Sequence, residues 1–203
     1  MLLSAALLSV LLAARGAGVE DDIRALAGSA DEQDAARQDL LLAKEGAVGP
    51  LLEALDEPAS AASRVGVVEV LFRLTTRIDD PRIADGLGRH LRQDPSAATR
   101  AAIARQMGLF ECRQGIAALL EALGDGDARV RYEALVALGT LQEKLSQDQR
   151  ERLEAAAAGL ASDASAEVQL EASVLFPLCQ DGSEGRNPPA GAVTLPPVGA
   201  APG

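Results

Sequence analysis

A stretch of 17 residues occurs four times in this chain with the same pattern of apolar positions. The copies span 58–74, 94–110, 125–141 and 163–179, so their starts lie 36, 31 and 38 residues apart. Repetition at a spacing of about 20 to 50 residues is typical of solenoids and related architectures, in which each unit buries its apolar face only against its neighbours. No other feature of the sequence limits the possible folds as strongly.

Each copy has the pattern of an amphipathic helix that follows a turn. When the copies are aligned on their first residues, apolar side chains occupy the tenth, fourteenth and seventeenth places, which is the spacing of one face of a helix. These side chains are Val67, Ile103, Ala134 and Ala172, then Leu71, Met107, Leu138 and Phe176, and finally Leu74, Phe110, Leu141 and Cys179. The pattern predicts a buried stripe on each of these helices.

A second amphipathic segment precedes each copy, at 47–57, 82–93, 115–126 and 151–162. The unit is therefore a helix, a tight turn and a second helix. Helical stretches around 21–27 and 34–45, the latter ended by Gly46, indicate a further partial unit. Ala, Leu and Val supply most of the 48% hydrophobic content and aromatic residues only 2%, so the composition also favours an all-α protein.

The turn of the repeat carries an aspartate with an arginine six residues later, as Asp94/Arg100 and Asp125/Arg131. With this pair, the sequence resembles the HEAT-repeat family over roughly residues 34–179, most closely the short bacterial HEAT-like or phycobilisome-lyase-type repeats. The resemblance implies an all-α, right-handed solenoid of about four to five stacked helical hairpins over 19–180. It also implies that the Asp and Arg side chains form a ladder along the stack.

The ladder is expected to be incomplete at its ends. The fourth copy keeps Asp163 but has Gln169 where the arginine belongs, and the first keeps Arg64 without a matching aspartate. An aspartate at the turn can accept hydrogen bonds from free amides of the second helix, and an arginine of the neighbouring unit can bind the same carboxylate. We therefore interpret these six residues as structural: Arg64, Asp94, Arg100, Asp125, Arg131 and Asp163.

The outward positions of the second helices are candidates for partner binding. In HEAT-type solenoids these helices line the concave face, and the eighth, ninth and twelfth places of each copy are assigned to it. The first two copies place there small and charged residues, namely Val65, Gly66, Glu69, Ala101, Ala102 and Arg105. The last two place there Tyr132, Glu133, Val136, Leu170, Glu171 and Val174.

An apolar strip that contains the only tyrosine and is rimmed by two glutamates predicts a site for a peptide or a partner helix. The alternative is that these side chains pack on the neighbouring unit or under the C-terminal tail. The resemblance also admits a subunit of a lyase-like or modifying enzyme that carries the same repeats. We favour a non-enzymatic, monomeric interaction scaffold, because few aromatic residues are available to hold a bilin.

No catalytic, cofactor or metal site is predicted. His90 is the only histidine, with Asp94 as the only obvious second ligand, and we expect it to be solvated on the flank of its helix. Cys112 and Cys179 belong to units two repeats apart, about 20 Å at helix spacings of roughly 10 Å. A disulfide tolerates about 7 Å between Cα atoms, so we expect no intramolecular bridge.

The charge and the two ends of the chain bear on its location. A net charge of −11 argues against nucleic acid or an anionic lipid surface as partner. Residues 1–18 form an apolar block of signal-peptide length followed by small residues, which predicts a periplasmic or secreted protein without a stable membrane anchor. The alternative is a buried first helix and a cytoplasmic location. Residues 181–203, rich in Pro, Gly and Ala, are predicted to be a disordered tail.

Overall fold

The computed structural model describes residues 18–57 and 60–180, apart from the side chains of residue 61 and of 176–180. The predicted signal segment before Gly18, the predicted tail and the side chains of Phe176 and Cys179 lie outside the described part. Within it, the chain forms helices and no strand: α1 (Val19–Ala25), α2 (Ala30–Ala43), α3 (Glu45–Asp56), α4 (Ala61–Thr75), α5 (Pro81–Gln93), α6 (Ala97–Leu109), α7 (Ile116–Ala122), α8 (Ala128–Thr140), α9 (Gln147–Leu160) and α10 (Ala166–Gln180).

Consecutive helices pair into five hairpins that stack side by side, from α1/α2 to α9/α10. First helices contact first helices and second helices contact second helices, which gives two layers. The prediction of an all-α solenoid of four to five hairpins is confirmed. Among the described helices, none is long and apolar enough to cross a membrane.

The second helices pack against one another more closely than the first helices do, most of all α6 against α8. Gly108 permits this approach, because a Cβ atom added there would lie only 2.8 Å from the Cα atom of Ala137. The second-helix layer is therefore the more tightly packed of the two, as is expected of the concave side of a curved solenoid.

The core runs continuously between the two layers. The predicted stripe is buried at each place where the side chain is described, except that Phe110 is only partly buried. Phe110 stacks on Phe72 of the preceding hairpin, with ring centroids 5.8 Å apart. The stripe therefore joins neighbouring hairpins as well as the two helices of each one.

The boundary between α2 and α3 differs from the prediction. Gly46 does not end the first of these helices, because it lies in the first turn of α3. The break falls at Lys44, which has a φ of 51° and a ψ of −124°. The apolar face of α3 already begins at Ala47 and Val48, so the chain has to reverse before Gly46 for both side chains to reach the core.

Candidate interaction surface and its supporting ladder

Arginines of one hairpin bind aspartates at the turn of the next. Arg100 donates from Nε and Nη2 to the two carboxylate oxygens of Asp125, both at 2.8 Å. Arg131 binds Asp163 in the same way, at 2.8 and 2.7 Å. The third nitrogen of each arginine donates at 2.7 Å to the backbone carbonyl of its own turn, at Asp94 and Asp125 respectively. Each arginine therefore fixes two turns relative to each other.

The same aspartates also bind the backbone at the start of the second helices. One oxygen of each carboxylate accepts the amide two residues further on, at 2.8 to 2.9 Å, from Ser96 to Asp94, from Asp127 to Asp125 and from Ser165 to Asp163. The carboxylate thus holds its own turn and the preceding arginine together. Such charge-assisted, bidentate pairs are the strongest of the ordinary protein hydrogen bonds.

The environment favours the ionised form of two of these carboxylates, those of Asp125 and Asp163. Burial alone raises the pKa of Asp125, but the hydrogen bonds from Arg100 and from the turn amide outweigh it and lower the pKa below the ordinary value. The pKa of Asp163 is also lowered, first by Arg131 and then by its turn amide. The pKa values of both arginines are raised by the same pairs.

The first link of the ladder has a different geometry. Arg64 donates from Nη2 to Asp94 Oδ2 at 2.5 Å and from Nη1 to the carbonyl of Glu57 at 2.7 Å. The same Asp94 oxygen lies 3.2 Å from Nδ1 of His90. Asp94 therefore serves both a guanidinium and an imidazole, and the link is deeply buried, with the Asp94 side chain fully inaccessible.

His90 is buried, with 5% of its surface exposed, so the expectation of a solvated side chain is wrong. Its Nε2 atom lies 3.3 Å from Oδ1 of Asp56 on α3, without hydrogen-bond geometry. The burial follows from close packing of α3 on α5, where a Cβ atom at Gly86 would lie 2.5 Å from a methyl group of Leu52. Across the described residues, no group of three or more His, Cys, Asp or Glu side chains could hold a metal ion.

The predicted partner strip lies on the last two hairpins. On α10, Leu170 is 67% and Val174 51% exposed, while Glu171 is half-buried. On α8, Tyr132, Glu133 and Val136 are half-buried, and Arg105 on α6 is exposed. These side chains share the side of the second helices that faces away from the first-helix layer.

Three of the six corresponding positions of the earlier hairpins, Gly66, Ala101 and Ala102, are buried, which corrects that part of the assignment. Val65 and Glu69 are half-buried and Arg105 is exposed. Ala101 and Ala102 are buried because α6 is packed tightly between α4 and α8. Gly66 is covered by Leu26, whose Cβ would lie 3.3 Å from a Cβ atom at the glycine. Small side chains there serve helix packing and offer no surface to a partner.

Two exposed leucines were not predicted from the pattern, Leu42 on α2 and Leu109 on α6. Leu109, on α6, is 69% exposed and lies one helical turn beyond Arg105, at the sixteenth place of its copy. The signal was present in the sequence, because this leucine stands outside the three buried places of the repeat. It extends the apolar surface of the second helices toward the middle of the stack.

The charged rim of the strip is partly desolvated. Burial raises the pKa of Glu133, and the positive charges of Arg105 and Arg129 oppose that rise. Arg105 lies on the preceding hairpin, so this interaction crosses from α6 to α8. The strip thus combines exposed hydrocarbon with carboxylates that have lost part of their hydration, as at the edges of protein interfaces.

Comparison with known proteins bears on this region of the chain. A family model described as HEAT repeats matches residues 84–175. The match runs from α5 into α10 and contains every residue of the strip. No curated protein matches the sequence significantly.

Proposed function

We propose that this chain, whose residues 84–175 belong to the HEAT-repeat family, is a protein-interaction scaffold. HEAT repeats generally mediate contacts between proteins. The partner is a protein or peptide segment that binds the concave strip of Tyr132, Val136, Leu170 and Val174. Arg105 and the two strip glutamates form its polar rim.

The exposure of Leu170 and Val174 on a well-packed helix carries this proposal. Three other residues of α10, Val168, Ala172 and Leu175, already bury its core-facing side. Full burial of one such exposed leucine contributes about 1.5 to 3 kcal/mol. A partner that covers the strip gains this free energy without ordering the scaffold, because the helices that carry it are already held in place.

The ladder supports the same proposal by making the surface rigid. Its last two links, from Arg100 to Asp125 and from Arg131 to Asp163, fix the hairpins that carry the strip. A surface of fixed curvature selects partners by shape.

Capture of a partner from the native host tests the proposal. Tagged full-length protein is used as bait, beside the variants Tyr132→Ala and Val136→Asp and a control, Glu154→Lys, on α9 of the opposite layer. We expect both strip variants to lose the captured partner while their far-UV circular dichroism and that of the control stay unchanged. If capture survives both strip substitutions, the concave strip is not the binding site.

We also propose that the protein is non-enzymatic, monomeric and exported. In the unmodified chain, the thiol of Cys112 lies 3.7 Å from Oε1 of Gln114. Partner binding should persist when this cysteine is replaced in the variant Cys112→Ser. An activity abolished by that substitution would favour the modifying-enzyme alternative. N-terminal sequencing of the mature protein tests export, since an uncleaved first residue would indicate a cytoplasmic scaffold.

A further inference from the structure

We propose that the partner segment is a basic amphipathic helix, whose lysine or arginine pairs with Glu171 while its apolar face covers Leu170 and Val174. This inference rests on the proposed function, because it names the class of partner for the same strip. The inference is based on a difference in charge between two contacts of neighbouring second helices, α6 with α8 and α8 with α10.

Where α6 packs on α8, the glutamate at the ninth repeat place interacts with the positive charges of Arg105 on α6 and Arg129 on α8. This glutamate is Glu133, and Arg105 holds the twelfth place of the preceding helix. At the junction of α8 and α10, the same two places hold Glu171 and Val136. Glu171 is half-buried and makes no hydrogen bond or ion pair with the described residues. The repeat place that holds Arg105 on α6 therefore holds the apolar side chain of Val136 on α8.

A half-buried carboxylate next to exposed apolar side chains is matched by a cation on an apolar partner. Desolvating an unpaired carboxylate is costly, so a neutral or acidic segment that covered Leu170 would raise the free energy of Glu171. A basic side chain removes that cost. Exposed Glu167, one turn earlier on the same side of α10, adds negative potential that attracts such a partner.

The same charge argument disfavours the two nearest alternative occupants. The segment 181–203 contains Asp181 and Glu184 against one basic residue, Arg186, so it brings no net positive charge to the strip. A second copy of the chain carries a net charge of −11 and would place acidic surface against acidic surface. A basic segment of another protein fits better than either.

The spacing of the strip favours a helical segment. Neighbouring helices lie roughly 8 to 10 Å apart, and two turns of a helix, from residue i to i+7, advance about 10.5 Å. A helix that crosses α8 and α10 can therefore place one apolar side chain over Tyr132 and Val136 and the next over Leu170 and Val174. A basic residue between these two anchors reaches Glu171.

Two synthetic peptides test the inference on the full-length chain. Both are about 18 residues long, five helical turns, with leucines at the same i, i+4 and i+7 spacing. One carries lysines and the other glutamates at the flanking places, and both carry a fluorescent label for anisotropy titration. We expect the lysine peptide to bind at least about ten-fold more tightly, with an affinity that falls as salt is added.

Matched variants locate the effect. Glu171→Lys should abolish the preference for the lysine peptide or reverse it, whereas Glu154→Lys, the same charge change on α9, should keep it. Leu170→Asp should weaken both peptides. Equal binding of the two peptides to the unmodified chain, no binding of either, or equal effects of the two glutamate substitutions would each overturn the inference. Host partner capture that still depends on Tyr132 and Val136 would then show that the proposed function survives without it.

Discussion

At the scale of single residues, the ladder shows how burial changes the value of one ion pair. Arg100 and Arg89 both bind an aspartate of a neighbouring hairpin through two nitrogens. The side chains of the Arg100–Asp125 pair are only 16% and 11% exposed, whereas those of the Arg89–Asp56 pair are 50% and 52% exposed. Water screens the second pair and leaves the first nearly unscreened.

We therefore predict that Arg100→Ala lowers the free energy of unfolding by about 2 to 3 kcal/mol, because it strands the Asp125 carboxylate and the Asp94 carbonyl. Arg89→Ala, which breaks an equivalent but exposed pair, should cost less than about 1 kcal/mol. Urea denaturation followed by circular dichroism measures both. Equal losses would mean that burial does not set the contribution of the ladder.

His90 and the two alanines of α6 show where sequence reasoning at this scale stops. The contact of His90 with Asp94 follows from the sequence, because Asp94 lies four residues later, at the C-terminal cap of the same helix. Its burial does not, because it depends on the approach of Leu52 to Gly86 from another hairpin. Ala101 and Ala102 were assigned outward by place in the repeat, yet a small side chain is also what close helix packing requires. Local periodicity cannot separate these two causes.

At the scale of helices, the repeat predicted the last four hairpins, and the helical stretches around 21–27 and 34–45 predicted the first as a partial unit. Both predictions were possible because the apolar spacing within a helix is a local property of the sequence. The boundary at Lys44 was missed for the opposite reason. A positive φ is ordinarily a glycine position, and a glycine stood two residues away. The reversal instead occurs where the buried face of α3 requires it.

Close packing between second helices leads to a prediction with an internal control. Gly108→Ala should destabilise the protein by about 1 to 3 kcal/mol, because the added methyl group meets the backbone of Ala137. Gly159→Ala, in α9 with nothing within 4 Å of the new Cβ atom, should instead stabilise it by up to about 1 kcal/mol.

Thermal unfolding monitored by circular dichroism distinguishes the two glycine variants, since the midpoint should fall for the first and rise for the second. A rise for both would show that α6 and α8 have room to separate. In that case the curvature of the stack would not depend on Gly108.

At the scale of the whole molecule, the ladder connects the second to the fifth hairpin through three successive links. In a solenoid, each unit is stabilised mainly by its neighbours, so these links bear on the cooperativity of the entire stack. The resemblance to HEAT repeats implied a ladder of these aspartates and arginines. It did not predict that the first link would be shared with an imidazole.

Acid should lower the free energy of unfolding by protonating the carboxylates of Asp125 and Asp163. The folded-state pKa values of Asp125 and Asp163 are lowered, so their contribution to stability is complete above the unfolded value, near pH 4, and is lost as the pH falls through the folded value. We predict that Asp125→Asn flattens the fall in unfolding free energy below about pH 4. Asp148→Asn, an exposed substitution on α9, should leave it unchanged, and an identical profile for all three proteins would exclude the ladder as the acid-sensitive element.

Within the described residues, the ladder ends at the side-chain amide of Gln169. Gln169 donates to the backbone carbonyl of Asp163 at 2.5 Å, as the ladder arginines do to the carbonyls of their own turns. Its amide is uncharged, so it cannot form an ion pair with the turn aspartate of a further unit. Another hairpin, or a second molecule docking end to end with its turn aspartate, would bury a carboxylate without a counterion. End-to-end growth of a filament through the last turn of the ladder is therefore disfavoured.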